Sequence, residues 1–166
     1  MKIAIVGYGF VGKAVEFGFK NPENEILVID PRYFPERSIN ELDLFQPQFT
    51  FVCVPTPMGL NGYIDTTILD KVISDLKNLR SGIIIIKSTV TPDVIAQMTT
   101  SSCNERFIYN PEFLTERNAF DEFLNPKFHI LGGAPEFTRK VKNLYLFNSN
   151  CKAAPHLYMT AVEASL

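Results

Sequence analysis

The sequence predicts an α/β chain built on a doubly wound, mostly parallel sheet with helices on both faces. Three observations lead there: short runs rich in β-branched residues recur, segments of helical period separate them, and several runs are apolar throughout rather than alternating. A strand covered on both faces needs no polar side, and helical crossovers between strands make neighbours parallel.

The first strand is Lys2 to Val6, followed by a helix whose inner face carries Val11, Ala14, Val15 and Gly18. Glu25 to Ile29 is the second strand. Residues 31 to 48 contain Pro31, Pro35 and Pro47, which leave room only for a short helix around Ile39 to Phe45. Phe49 to Val54 follows as a strand, and then a helix with Ile68, Leu69, Val72, Ile73, Leu76 and Leu79 on one face, capped by Asp65. Gly82 to Lys87 is a strand, and Thr91 with Pro92 opens a helix through Met98. Strands at Arg106 to Tyr109 and Phe128 to Leu131, a Gly132-Gly133 turn, a helix near Glu136 to Phe147, a short strand at Leu157 to Met159 and a final helical start complete the reading.

A chain of 166 residues is the size of one domain, able to bury roughly two thirds of its unfolded surface around one core. Hydrophobic residues make up 46% and charged residues 20%, which excludes a disordered chain. The net charge of −2 and pI near 5.7 provide no basic field for nucleic acid or an anionic membrane. The longest apolar run, centred on Ile83 to Ile86, is far short of the roughly 20 residues of a membrane span. Met1 to Gly7 carries one positive charge and too short an apolar run for a secretory leader, so a cytoplasmic location is expected. Cys53, Cys103 and Cys151 are widely separated, with only His129 and His156 to join them, so reduced thiols and no metal site are expected.

Gly7-Tyr8-Gly9-Phe10-Val11-Gly12 is a GxGxxG placed directly after a strand and before an amphipathic helix. In that context it predicts a Rossmann dinucleotide site. Gly7 permits the tight turn, Gly9 lets backbone approach a pyrophosphate, and Gly12 lets the helix pack on the strand. The diphosphate would lie against the helix N-terminus at Phe10 and Val11, where free N–H groups and the helix dipole favour negative charge. Asp30 ends the second strand 18 residues after Gly12, near the spacing of the acid that binds the adenosine ribose diol. A carboxylate there favours NAD over NADP, whereas Arg32 beside it is a residue type that accepts a 2′-phosphate.

Four further segments fall where strands end: Val52-Cys53-Val54-Pro55-Thr56-Pro57, Lys87-Ser88-Thr89-Val90, Tyr109-Asn110-Pro111-Glu112-Phe113-Leu114-Thr115-Glu116, and Asn125-Pro126 before Ile130-Leu131-Gly132. With the glycine loop, in this order, they resemble the N-terminal half of the nucleotide-sugar 6-dehydrogenases of the UDP-glucose/GDP-mannose type, over nearly the whole chain. The resemblance implies NAD as cofactor and a nucleotide sugar such as UDP-glucose as partner. It implies that Val54, Pro55 and Thr56 run past the cofactor, that Thr89 helps deprotonate the sugar C6 hydroxyl through water, and that Glu112 and Glu116 stand near nicotinamide and sugar. Phe113, Leu114, Glu112 and Glu116 would hold the substrate, and burial beside Phe113 and Leu114 would bring a carboxylate toward the working range of a base. Each segment also has a plainer use: prolines stiffen a strand exit, Ser88 and Thr89 end a strand, and acids four apart form an exposed helical pair. Thr115 and Arg117 depart from the family pattern, which leaves substrate identity open.

In that family the alcohol is oxidised to a carboxylate by two hydride transfers through a thioester on a cysteine of a later domain. Cys53 lies in a strand buried on both faces, Cys103 and Cys151 lack an obvious activator, and His129 and His156 read as satisfied structural residues. Residues 1–155 are expected to form the dinucleotide domain and 156–166 the start of a connecting helix. Two readings follow: a dehydrogenase half that works as a homodimer or with a complementing C-terminal domain, or a stand-alone NAD-binding or regulatory module.

Overall fold

Lys2–Val6 (β1), Glu25–Ile29 (β2), Phe49–Val52 (β3), Ile83–Ile86 (β4), Phe107–Tyr109 (β5), His129–Gly132 (β6) and His156–Met159 (β7) form one sheet in the order β2-β1-β3-β4-β5-β6-β7. The structure, a computed structural model, describes residues 1–59, 62–99 and 106–166. Helices α1 (Phe10–Phe19), α2 (Leu42–Phe45), α3 (Thr67–Lys77), α4 (Pro92–Thr99), α5 (Ala119–Leu124) and α6 (Pro135–Asn148) pack against it. All neighbouring strands are parallel except β5 and β6, which meet antiparallel at Tyr109 and Gly132. This is the expected doubly wound Rossmann sheet. Because β1 lies between β2 and β3, the winding reverses there and opens a crevice at the strands' carboxyl ends.

The pleat divides the interior into two clusters, one on each face, where a single core is the simplest expectation. Ile3 and Ile5 face α1, α5 and α6, with Phe19 packed on Phe51 and Tyr145 at centroid distances of 5.1 and 5.4 Å. Ala4 and Val6 face Leu69, Ile73, Ile95 and Met98 of α3 and α4. On α1, Gly18 stands where a Cβ would lie 2.2 Å from the Phe123 ring, so its smallness is what admits α5.

Several boundaries shift for local reasons. β3 ends at Val52, because the Val54 carbonyl accepts the Ser88 hydroxyl at 2.7 Å and turns toward the loop. Asp65 accepts the Thr67 N–H at 2.9 Å and so caps α3 from one residue before its N-cap. The buried face of α3 is Leu69, Ile73 and Leu76, with Ile68 turned outward. The acidic-apolar helix expected near Ile39 to Phe45 is a 3₁₀ turn at Ile39–Glu41 running into α2, and the final helical start is a 3₁₀ turn at Glu163–Ser165. Residues 156–159 belong to the same sheet as β7, and Ala161 and Ala164 pack over Gly132, where a Cβ would stand 2.5 Å from the Ala164 Cβ. Among the described residues no helix is long and apolar enough to cross a membrane.

Candidate active site

The glycine loop separates three different demands on glycine. Gly7 ends β1 at φ +94°, and a Cβ on it would lie 2.6 Å from the Cys53 carbonyl oxygen, so the loop rests directly on the exit of β3. Gly12, in the first turn of α1, would place a Cβ 2.1 Å from the Gly7 carbonyl oxygen. Gly9 is the contrary case: its backbone is ordinary extended chain, and nothing lies within 4 Å of its Cβ position. Neither conformation nor packing requires glycine there, which leaves the approach of a ligand as the thing a side chain would obstruct. The first-turn N–H groups of α1, at Phe10, Val11 and Gly12, have no intrahelical acceptors, and that turn carries no acidic residue and no side-chain cap. The cradle fits a dinucleotide's diphosphate.

Asp30 closes the crevice at the end of β2. Its Oδ2 accepts the Tyr8 N–H at 2.7 Å and its Oδ1 the Arg32 N–H at 2.8 Å, so the carboxylate faces the glycine loop. Around it stands an aromatic and cationic group that sequence reasoning missed. The Tyr8 ring meets Tyr33 and Phe34 at 5.4 and 5.7 Å, Lys13 lies 4.4 Å from the Tyr33 ring centre, and Arg37 lies 4.3 Å from that of Phe34. Arg32 reaches over Tyr33 at 5.8 Å. Burial, with the hydrogen-bonded Glu16, pushes the Tyr8 phenol up to about 12. Tyr8 is the variable second position of the glycine motif, and Tyr33 and Phe34 lie in the irregular 31–48 stretch, where no periodicity points inward.

At the ends of β3 and β4, the Thr56 hydroxyl donates to the Thr89 carbonyl at 2.7 Å. Two loops quoted from separate parts of the sequence are thus tied together, beside buried Val54 and exposed Pro55. Thr89 itself is exposed.

The carboxylate pair behaves differently from the expectation. Glu112 does not shelter beside Phe113, which is 64% exposed; its Oε2 instead meets the Nζ of Lys87 at 2.5 Å, with the lysine side chain 2% accessible. Lys87 also donates to Asn110 Oδ1 at 3.1 Å, and the same oxygen accepts the Tyr145 hydroxyl at 2.8 Å. Glu116 is exposed and stands apart from this network, whereas Leu114 packs against the core and Thr115 is held by Glu122 through its N–H at 2.6 Å. The signal for Lys87 was one charge directly after four isoleucines, a strand end that must carry it inward; Tyr145 and Glu122 had none.

Cys53 is buried, and desolvation pushes its thiol up to about 12; burial likewise raises Cys151. Cys103 lies outside the described residues. His129 is buried and stacked on Tyr145 at 4.2 Å, and desolvation lowers it to about 3. His156 stacks on His129 at 4.9 Å and bonds the Ala154 backbone, while its Nε2 is buried without a hydrogen-bond partner among the described residues, so the expected satisfaction is met at one ring nitrogen only. A groove between α3 and α4, lined by Asp70, Ile73, Lys77 and Met98, contains none of these groups.

The UDP-glucose/GDP-mannose dehydrogenase family, NAD binding domain, matches residues 36–147, a span that holds Thr56, Thr89, Glu112 and Glu116 but begins after the glycine loop. A UDP-glucose 6-dehydrogenase of Campylobacter jejuni is 30% identical, over 99% of this chain and 50% of its own length. The chain therefore spans about half the length of that relative. The fold is shared with a GDP-mannose dehydrogenase from Pseudomonas aeruginosa (TM-score 0.76, 18% identity, 99% of this chain and 48% of that one). It is shared also with a UDP-glucose dehydrogenase from Pyrobaculum islandicum (TM-score 0.72, 20% identity, 99% and 47%). The chain belongs to the UDP-glucose/GDP-mannose dehydrogenase family, as a nucleotide-sugar dehydrogenase NAD-binding domain with NAD as its cofactor.

Proposed function

We propose that the chain serves the NAD-dependent oxidation of the C6 hydroxyl of a nucleotide sugar such as UDP-glucose, as the cofactor half of a two-part enzyme. The observation that carries this reading is the convergence, at the carboxyl edge of one sheet, of the open space over Gly9, the Thr56–Thr89 tie and the Lys87–Glu112 pair. Bound NAD supplies the hydride acceptor. Gly7, Gly9, Phe10, Val11 and Gly12 would hold the diphosphate, and Asp30, with Arg32 at its side, would accept hydrogen bonds from the ribose diol. Val54, Pro55 and Thr56 border the cofactor. Thr89 orders a water at the C6 hydroxyl, Glu116 on the sugar side receives the proton that leaves with each hydride, and Glu112, its charge committed to Lys87, fixes the loop beside them. Phe113 and Leu114 line the sugar side of the loop. In this reading the dinucleotide domain, expected as residues 1–155, takes in β7 and the Ala161–Ala164 packing as well, and the chain after them leads toward a second domain or a dimer partner, in a cytoplasmic enzyme of polysaccharide biosynthesis.

A second reading is a module that binds NAD without turnover, which applies where no partner supplies the thioester cysteine. Cys53 and Cys151 are both pushed up by burial, so neither supplies an activated nucleophile for a thioester step. Incubating the chain with NAD and UDP-glucose or GDP-mannose, with and without a complementing C-terminal domain, separates the two. Reduced cofactor in the complemented mixture supports the first reading. NAD binding with no reduced cofactor in either mixture supports the second.

A further inference from the structure

We propose that Lys87 is a positioning residue: acting through Glu112, its buried ammonium holds the 111–118 loop in a single orientation at the mouth of the site. The inference rests on the reading that this loop faces the nucleotide sugar.

A lysine with a side chain 2% accessible is costly to bury unless its charge is matched. Its neighbours are Glu112 Oε2 at 2.5 Å, Asn110 Oδ1 at 3.1 Å and the Phe123 ring at 5.7 Å. Asn110 is already committed, receiving the Tyr145 hydroxyl and donating to the Ile130 carbonyl at 2.9 Å. Of the titratable groups packed around the pair, burial raises Cys53, Cys151 and Tyr145 and lowers His129, so each of these is neutral near pH 7. Glu122 lines the same pocket, but both of its oxygens are taken by Thr115. Glu112 is its matching charge.

The carboxylate is in turn fixed at both oxygens. Oε2 is on Lys87, and Oε1 accepts the Phe113 N–H at 3.0 Å, which sets the loop's direction as it leaves β5. Glu122 fastens the other end, receiving the Thr115 N–H at 2.6 Å and its hydroxyl at 3.0 Å. Stability alone is a poor reason for such a pair, since apolar replacements of buried ion pairs are often neutral or stabilising. Orientation is a better one: a salt bridge between the end of β4 and the start of the loop sets Glu112 relative to Thr89, two residues beyond Lys87.

The test compares the parent chain with Lys87→Met, Lys87→Arg, Glu112→Ala and the Lys87→Met/Glu112→Ala double variant. Two readouts apply: amide exchange at Phe113 and Thr115, and calorimetric affinity for UDP-glucose in saturating NAD. Lys87→Met is expected to speed exchange and weaken UDP-glucose each by about tenfold, with NAD affinity unchanged, and Lys87→Arg to restore both. Because the lysine acts through Glu112, the double variant should be no worse than Glu112→Ala. If Lys87→Met costs as much in the Glu112→Ala background as in the parent, or leaves the loop amides unchanged, the proposal is overturned. Should Lys87→Met fail to fold, Glu112→Ala must by itself speed exchange and Lys87→Arg must not; the opposite pattern overturns it equally. A parent that binds NAD but no UDP-glucose even with a complementing C-terminal domain refutes the substrate reading, while the exchange cycle still decides the role of Lys87.

Discussion

The backbone N–H of Tyr8 donates to Asp30 Oδ2 at 2.7 Å, so one carboxylate joins the glycine loop after β1 to the tip of β2. The Arg32 N–H takes the other oxygen at 2.8 Å. This acid therefore shapes the crevice as well as lining it.

Asp30→Ala is expected to weaken NAD by about tenfold, the loss of a charge-assisted hydrogen bond to the ribose. It should also lower the melting temperature of the free protein, because two backbone N–H groups lose their acceptor. Calorimetry and thermal melts of both proteins check it; equal NAD affinity would remove Asp30 from the ribose site.

Gly12→Ala should destabilise the fold itself. Its Cβ would stand 2.1 Å from the Gly7 carbonyl oxygen, a backbone atom that cannot rotate away, and the strain of relieving it is about 1–3 kcal/mol. Urea unfolding measures this directly, and an unchanged midpoint would contradict the packing described.

His129 should make the protein sensitive to acid. Burial, with the charge of Lys87, lowers the folded imidazole from its ordinary 6.5 to about 3, so the unfolded chain takes up the proton first as pH falls. The stability this residue contributes is intact above pH 6.5 and is lost between 6.5 and 3, with a slope of up to about 1.4 kcal/mol per pH unit for one proton. Urea midpoints at pH 7, 5 and 4 should fall less steeply in His129→Phe, which keeps a ring against Tyr145. An identical slope in both proteins would show that this histidine is not the group responsible.

What could be read without coordinates is what period and spacing encode. Alternating apolar runs and helical faces placed every strand, the glycines and Asp30 located the crevice, and the threonine and glutamate segments marked the strand ends around it. What could not be read depends on contacts between residues far apart in the chain. Tyr145 reaches Asn110 across 35 positions, and Lys13 meets Tyr33 across 20, with no local pattern announcing either. Glu112 shows the cost most clearly. Its neighbours in sequence, Phe113 and Leu114, suggested an apolar shelter, whereas its neighbour in space is a lysine 25 residues earlier. The same limit explains Gly9 and Gly12, identical in the motif yet set apart by what would surround a side chain at each.

If a dinucleotide's diphosphate fills the open space over Gly9, a calorimetric titration of NAD into the parent chain and Gly9→Val will separate the two proteins. Since nothing lies within 4 Å of that Cβ position, the variant should melt like the parent while its NAD heat disappears. Undiminished NAD binding in a folded Gly9→Val protein would place the diphosphate elsewhere.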